Sequence, residues 1–120
     1  MKVLHLSLLI AYSGFVFYLS HQSSLAAPML FPYQDKLFHA VAYAVLAVLA
    51  LNYFKYLTCS FKLALRAAFM FSALYGISDE WHQSFIAGRD ASALDWLADC
   101  VGALVALGCY RQINIFFQRA

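Results

Sequence analysis

Four long apolar stretches separated by short polar segments dominate the pattern of hydrophobic and polar positions along the chain. They cover about residues 3–20, 37–54, 61–79 and 94–110. A helix that crosses a bilayer needs about 20 predominantly apolar residues, and each stretch is close to that length. The pattern therefore predicts an all-α, polytopic membrane protein with four transmembrane helices. The short connections favour an antiparallel bundle within a single domain of residues 1–120.

The composition changes this picture little, but it excludes several other classes of protein. Hydrophobic residues make up 64% of the 120 residues and charged residues only 12%. Soluble domains contain roughly 45–50% apolar and about 25% charged residues, and a small one needs polar residues to cover its surface. The composition therefore excludes a disordered chain, a nucleic-acid-binding protein with a basic face, and almost any soluble domain.

The first apolar stretch has an alternative interpretation as a cleaved signal peptide. Lys2 provides a positive start, and residues 24–27 offer a weak cleavage site of small residues. We favour an uncleaved span, because the apolar run is longer than the core of about 7–15 residues found in signal peptides.

The distribution of charged residues predicts the orientation in the membrane. Lys and Arg near the ends of spans favour the cytoplasmic side. With both termini in the cytoplasm, six basic residues lie inside, and only Lys36 and Arg89 lie outside. All six acids then fall on the outer side, namely Asp35, Asp79, Glu80, Asp90, Asp95 and Asp99. The net charge of +2 is therefore the sum of a charge of −4 on the outer side and +6 on the inner side.

Helical periodicity points the polar residues of several spans toward one shared pocket on this outer side. Asp95 and Asp99 lie on the same face of the fourth span as Gly102, because all three fall within about 60° at 100° per residue. His39 and Tyr43 share a face of the second span at a spacing of i, i+4. Ionisable residues in spans are costly and usually face the protein interior or a watery cavity, where they indicate a functional site.

The residues expected in this pocket fall into three overlapping sets. The candidate catalytic residues are Asp35, His39, Glu80 and Asp95. The candidate ligand-binding residues are Lys36, Tyr43, Gln83, Arg89, Ser92 and Asp99. The candidate metal ligands are Asp35, His39, Asp79, Glu80, Asp95 and Asp99. Carboxylate oxygens suit a divalent cation such as Mg²⁺ or Ca²⁺, which would be the cofactor.

Side-chain chemistry suggests how such a pocket could work. Lys36 and Arg89 could hold phosphate or carboxylate groups, and His39 could move a proton because imidazole titrates near neutral pH. Structural interpretations remain open, since Asp35 could cap the second span and Ser92 with Asp95 fits a capping box. The whole set could also be a structural ion-pair network. The chain carries no serine elbow, P-loop or HExxH motif, so whether it is an enzyme stays open.

Four blocks of residues carry a resemblance to a known family. They are FYLSHQS at residues 17–23, DKLFHAVAY at 35–43, GISDEWHQSF at 76–85 followed by GR at 88–89, and SxxDWxxDxxG at 92–102. Their order and combination resemble the VanZ-like family of small bacterial integral membrane proteins, over nearly the whole chain. Two positions depart from the family pattern: Ala87 replaces a frequent proline, and Asp99 replaces a common asparagine.

The resemblance implies a multi-pass protein of the bacterial cytoplasmic (inner) membrane with polar motifs near the outer surface. The family's namesake is associated with low-level resistance to the glycopeptide teicoplanin. The expected function is therefore to bind or process a cell-envelope lipid or glycan precursor in the outer pocket. The alternatives are a non-catalytic membrane partner or assembly protein whose polar seam is structural, and an ion or proton pathway. A homo-oligomer is compatible with the many small residues, and no nucleic-acid partner is expected.

Overall fold

Four α-helices make up the computed structural model. Helix α1 spans Lys2–Ser20, α2 Gln34–Phe54, α3 Phe61–Gln83 and α4 Ala93–Arg119. The structure describes residues 1–23, 28 and 30–119, and it contains no β-strand within these ranges. All four helices are long and apolar enough to cross a membrane. The predicted all-α class with four membrane-length helices is therefore confirmed.

Two helices continue beyond the ends of the apolar stretches. Helix α3 runs past residue 79 to Gln83, and α4 runs past residue 110 to Arg119. Neither extension contains Gly or Pro, and a helix ends where a capping or breaking residue interrupts it rather than where its hydropathy falls. Glu80 therefore lies on a helix and not in a loop. The alternative cleavage site at residues 24–27 lies outside the described residues.

Local signals account for the helix starts. Ser60 is the N-cap of α3, and its Oγ accepts a hydrogen bond from the Leu63 N–H at 3.4 Å. Asp35 and Asp95 lie in the first turns of α2 and α4, where a negative charge is favourable beside the helix dipole. The Ser92 Oγ accepts the Asp95 N–H at 3.4 Å, which is one half of a capping box.

The closest approach of two helices is between α2 and α4, where small residues lie at the contact. A Cβ built on Gly102 would overlap the backbone of Ala40. Ala47, Ala50 and Ala103 are completely buried. Lipid tails are as apolar as leucine, so helices in a membrane associate through such close packing rather than through the hydrophobic effect. Helix α2 contacts each of the other three helices and is the centre of the bundle.

Helix α1 is attached to the bundle partly through two tyrosine hydroxyls. The Tyr12 hydroxyl donates to the Ala42 carbonyl at 3.0 Å, and the Tyr75 hydroxyl donates to the Ser13 carbonyl at 2.6 Å. Only three residues of α1 are buried. The position of α1 therefore depends strongly on these two bonds.

Replacing Tyr75 by phenylalanine is expected to destabilise the bundle by about 1 kcal/mol, because the ring is kept and only the hydrogen bond is lost. Detergent-mixture unfolding followed by tryptophan fluorescence measures the change. Tyr18→Phe is the matched control, because Tyr18 is exposed and its hydroxyl makes no hydrogen bond in the described part of the chain. Equal unfolding midpoints for the two variants would contradict the expectation.

Candidate functional site

A cluster of buried ionisable residues lies where the C-terminal part of α3 meets the N-terminal parts of α2 and α4. We call it the polar cluster, and it consists of His39, Asp79, Glu80, Asp95 and Asp99. Three helices supply these residues: α2 the histidine, α3 the pair at 79 and 80, and α4 the other two. One ligand atom from each of His39, Glu80 and Asp99 lies within 4.8 Å of the others.

The carboxylates of the polar cluster are hidden from solvent. Asp99 is 1% exposed, Asp79 5%, and Glu80 and Asp95 8% each. An unpaired carboxylate costs several kcal/mol when it is removed from water. The cluster therefore needs compensating protons, cations or hydrogen-bond donors.

His39 connects two of these carboxylates. Its Nδ1 lies 2.9 Å from Asp99 Oδ1 and 4.0 Å from Glu80 Oε1. The second oxygen of Glu80 accepts the Ser92 N–H at 2.7 Å, which fastens the α3–α4 connection to the end of α3. Gly76 leaves the space for Asp99, since a Cβ there would come within 2.9 Å of Asp99 Oδ2.

Among the four carboxylates of the polar cluster, only that of Asp95 is paired with a lysine or arginine in the described ranges. Lys36 Nζ lies 2.6 Å from Asp95 Oδ1 and 2.7 Å from Asp35 Oδ2. Within the described ranges, three buried carboxylates have no Lys or Arg nitrogen within 4.0 Å, namely Asp79, Glu80 and Asp99. Apart from Asp95 Oδ1, which Lys36 contacts, five buried oxygens in and around the polar cluster lack a hydrogen-bond partner among the described residues: Ser20 Oγ, Tyr43 Oη, Asp79 Oδ1, Glu80 Oε1 and Asp99 Oδ2.

Arg89 is a cation whose hydrogen-bond partners are uncharged. Its guanidinium donates two hydrogen bonds to Gln83 Oε1, at 3.1 and 3.3 Å, and one to the Gln22 carbonyl at 3.3 Å. No carboxylate of the described residues lies within 4.0 Å of it. The preceding Gly88 has φ of 83°, a left-handed conformation that glycine adopts without strain and that makes the turn before Arg89.

A cavity of about 70 Å³ lies between α1, α2 and α3 beside the polar cluster. A water molecule needs about 10–15 Å³ of such space, so the cavity can hold a few waters or a small polar group. Its polar wall is formed by His39, Tyr43, Asp79, Gln83 and Arg89. Its apolar wall is formed by Val16, Leu19, Phe38 and Ala42. Polar side chains thus stand along one side of the cavity, although nearly all of the surface exposed to it is apolar.

The structure brings most of the predicted site residues together and leaves two at the edge. Asp35 is exposed and reaches the polar cluster only through Lys36, which bridges it to Asp95. Ser92 contributes its backbone N–H to Glu80 and its hydroxyl to the start of α4. Lys36 lies beside the polar cluster without lining the cavity, and every other candidate lines the cavity or belongs to the polar cluster.

Sequence reasoning assigned no site role to α1, yet this helix supplies part of the cavity. Ser20 is 3% exposed and lines it, and the Gln22 carbonyl holds Arg89. His21 Nδ1 lies 3.2 Å from His82 Nε2. The available signal was the FYLSHQS block, which is part of the family resemblance but contains no Asp, Glu, Lys or Arg.

Four membrane-length helices with a buried polar cluster at one end define a small multi-pass membrane protein with an internal polar site. The VanZ/LLP1 family model matches residues 4–117, which is nearly the whole chain. The chain belongs to the VanZ/LLP1 family, as the resemblance implied. No curated protein and no solved structure gives a significant match to it.

Proposed function

We propose that this protein binds a cell-envelope lipid or glycan precursor that carries a phosphate group, in the cavity beside the polar cluster. The observation that supports this most is Arg89. A guanidinium with uncharged partners retains its positive charge for a ligand, and its planar fork matches phosphate oxygens.

The two walls of the cavity support an amphiphilic ligand rather than a free anion. A phosphate beside Arg89 and His39 would place an attached hydrocarbon chain along Phe38 and Leu19. The ligand could enter sideways from the bilayer, because α1 is the helix with the fewest buried residues among α1, α2 and α3. Pockets that combine apolar walls with a few placed polar groups are typical of small-molecule sites.

We propose a bacterial cytoplasmic membrane location, antiparallel consecutive helices and cytoplasmic termini. Contacts at the two ends of the bundle support the antiparallel arrangement. Glu80 near the end of α3 meets Ser92 just before α4, whereas Lys55 after α2 lies 2.7 Å from the hydroxyl of Tyr110 in the second half of α4. In this orientation the polar cluster lies on the outer side, where envelope precursors are assembled into the wall.

Proton transfer at the same site would add catalysis to binding. The pair formed by His39 and Asp99 is suited to accept and return a proton, which would allow a bound precursor to be processed. The link to teicoplanin resistance rests on the family's namesake. It is tested separately, by comparing teicoplanin susceptibility of cells with and without the protein.

Replacing Arg89 by glutamine is expected to weaken binding of a polyprenyl phosphate by about 10- to 100-fold, since a hydrogen bond to a charged group contributes about 1.5–3 kcal/mol. Native mass spectrometry or calorimetry in lipid nanodiscs measures the affinity. Polyprenol without phosphate and a diacyl phosphatidate are the comparison ligands. They separate recognition of the chain from recognition of the phosphate.

Two further variants make this test specific. Arg89→Lys keeps a positive charge and is expected to recover part of the affinity. Arg111→Gln removes an exposed cation from α4 outside the polar cluster and is expected to bind as the unmodified protein does. If the polar seam is only structural, Arg89→Gln would lower the unfolding midpoint and leave the lipid affinity unchanged, which would overturn the proposal.

A further inference from the structure

Three side chains of the polar cluster, one each from α2, α3 and α4, hold their ligand atoms close together. His39 Nδ1 is 2.9 Å from Asp99 Oδ1 and 4.0 Å from Glu80 Oε1, and one ligand atom from each of the three residues lies within 4.8 Å of the other two. Two ligands about 2.0–2.2 Å from the same zinc ion lie about 3–4 Å apart. Small side-chain rotations therefore bring this set to coordination distance.

Unpartnered buried oxygens are an independent indication of a cation site. Asp99 is 99% buried, and its Oδ2 has no hydrogen-bond partner among the described residues. Glu80 Oε1 also has none, and it faces the His39 ring. With Asp79, three buried carboxylates lack a Lys or Arg nitrogen within 4.0 Å in the described part of the chain. Such an excess of buried negative charge is costly unless protons or a cation neutralise it.

The donor set decides which kind of cation fits. Mg²⁺ and Ca²⁺ take oxygen ligands, whereas an imidazole nitrogen is a ligand for first-row transition metals. One imidazole with two carboxylates is a set that zinc and manganese accept. We propose that His39, Glu80 and Asp99 bind one divalent transition-metal ion, Zn²⁺ or Mn²⁺, at the outer end of the bundle.

Such an ion would also serve the proposed lipid binding, although it does not depend on it. It would replace the proton that His39 and Asp99 otherwise share, so metal binding and proton transfer by this pair exclude each other. It would neutralise most of the negative charge that otherwise repels a phosphate from the cavity beside Arg89. Three protein ligands leave coordination positions for water or for a phosphate oxygen. His39 lines the cavity, so the ion and the ligand would be neighbours.

Metal analysis of the purified protein tests the inference. The protein in detergent is stripped with a chelator, dialysed against equal concentrations of Zn²⁺, Mn²⁺, Mg²⁺ and Ca²⁺, and measured by plasma mass spectrometry. We expect about one zinc or manganese ion per chain, in excess over magnesium and calcium. His39→Gln, Glu80→Gln and Asp99→Asn are each expected to lower the affinity at least 10-fold, since even loss of an outer-shell partner costs about 10–100-fold.

Matched controls exclude other acids and histidines. Asp35→Asn removes an exposed acid near the polar cluster. His21→Gln combined with His82→Gln removes the one close pair of histidines among the described residues. Both variants are expected to keep the metal. X-ray absorption of the unmodified protein is expected to show one imidazole among oxygen ligands, a result that does not depend on whether any variant folds.

Several outcomes would overturn the inference: no stoichiometric metal, binding of magnesium or calcium alone, or metal that is lost with His21 and His82 but kept without His39. Arg89→Gln separates this inference from the proposed function, because it is expected to keep the metal and lose the lipid. Normal metal binding with no lipid binding by the unmodified protein would contradict the proposed function alone.

Discussion

Gly102→Ala is expected to destabilise the bundle by about 1–3 kcal/mol or more, because the added methyl group would overlap the backbone of Ala40 across the α2–α4 contact. A flexible side chain could move aside, but here the neighbouring atoms belong to the main chain. The two helices would have to separate along the seam that holds the bundle together. Unfolding in detergent mixtures, followed by circular dichroism, measures the loss.

Gly108 supplies the matched control on the same helix. A Cβ built there meets nothing within 4 Å, and the same is true of Gly14 on α1. Because alanine has a higher helix propensity than glycine by about 0.8–1 kcal/mol, Gly108→Ala is expected to stabilise the protein. The same glycine-to-alanine substitution is therefore expected to lower the stability of the protein at position 102 and to raise it at position 108. Equal effects at Gly102 and Gly108 would contradict the observed packing of α2 against α4.

The same glycine also sets the geometry of the polar cluster. Gly102 lies one helical turn from Asp99, and Ala40 follows His39 directly. Separating α2 from α4 at this point would lengthen the 2.9 Å contact between His39 and Asp99. Gly102→Ala is therefore expected to weaken binding at the proposed metal site as well as folding, although it removes none of the proposed ligands.

Apolar runs and helical periodicity were sufficient to predict the four helices and the face of α4 that carries Asp95 and Asp99. A run of about 20 apolar residues in a membrane forms a helix, because its backbone groups must hydrogen-bond to one another there. The presence of each helix can therefore be predicted from the length and composition of the run. The end of a helix is harder to read, because α3 reaches Gln83 through a polar segment that contains no breaker. Hydropathy alone therefore ends α3 too early, whereas helical periodicity already placed Gln83 on the same face as Asp79.

Contacts between segments that are far apart in the chain could not be predicted from the sequence. Arg89 was predicted from its charge to hold phosphate or carboxylate groups, but its bond to the Gln22 carbonyl depends on how α1 packs. The contribution of Ser20 to the cavity has the same origin. Periodicity describes one helix at a time, whereas the rotation of α1 against its neighbours is set by packing.

The orientation of the protein is expected to give nearly all-or-none labelling with a membrane-impermeant maleimide. Cys59 is exposed in the connection between α2 and α3, which the charge distribution assigns to the cytoplasm. A chain that keeps only this cysteine, through Cys100→Ala and Cys109→Ala, should react only after the membrane is permeabilised. A cysteine-free chain with Asp90→Cys, at an exposed position of the α3–α4 connection, should react in intact spheroplasts.

The two single-cysteine chains control for each other, because both positions are exposed and should label equally once the membrane is open. The physical basis is the separation of six basic residues without an acid at one end from six acids with two basic residues at the other. Reversed labelling would place the polar cluster in the cytoplasm, where it could not meet precursors on the outer leaflet. That result would refute the proposed lipid site in its present orientation. It would leave the proposed metal site of His39, Glu80 and Asp99 untouched, because the geometry of these residues does not depend on the side of the membrane that they face.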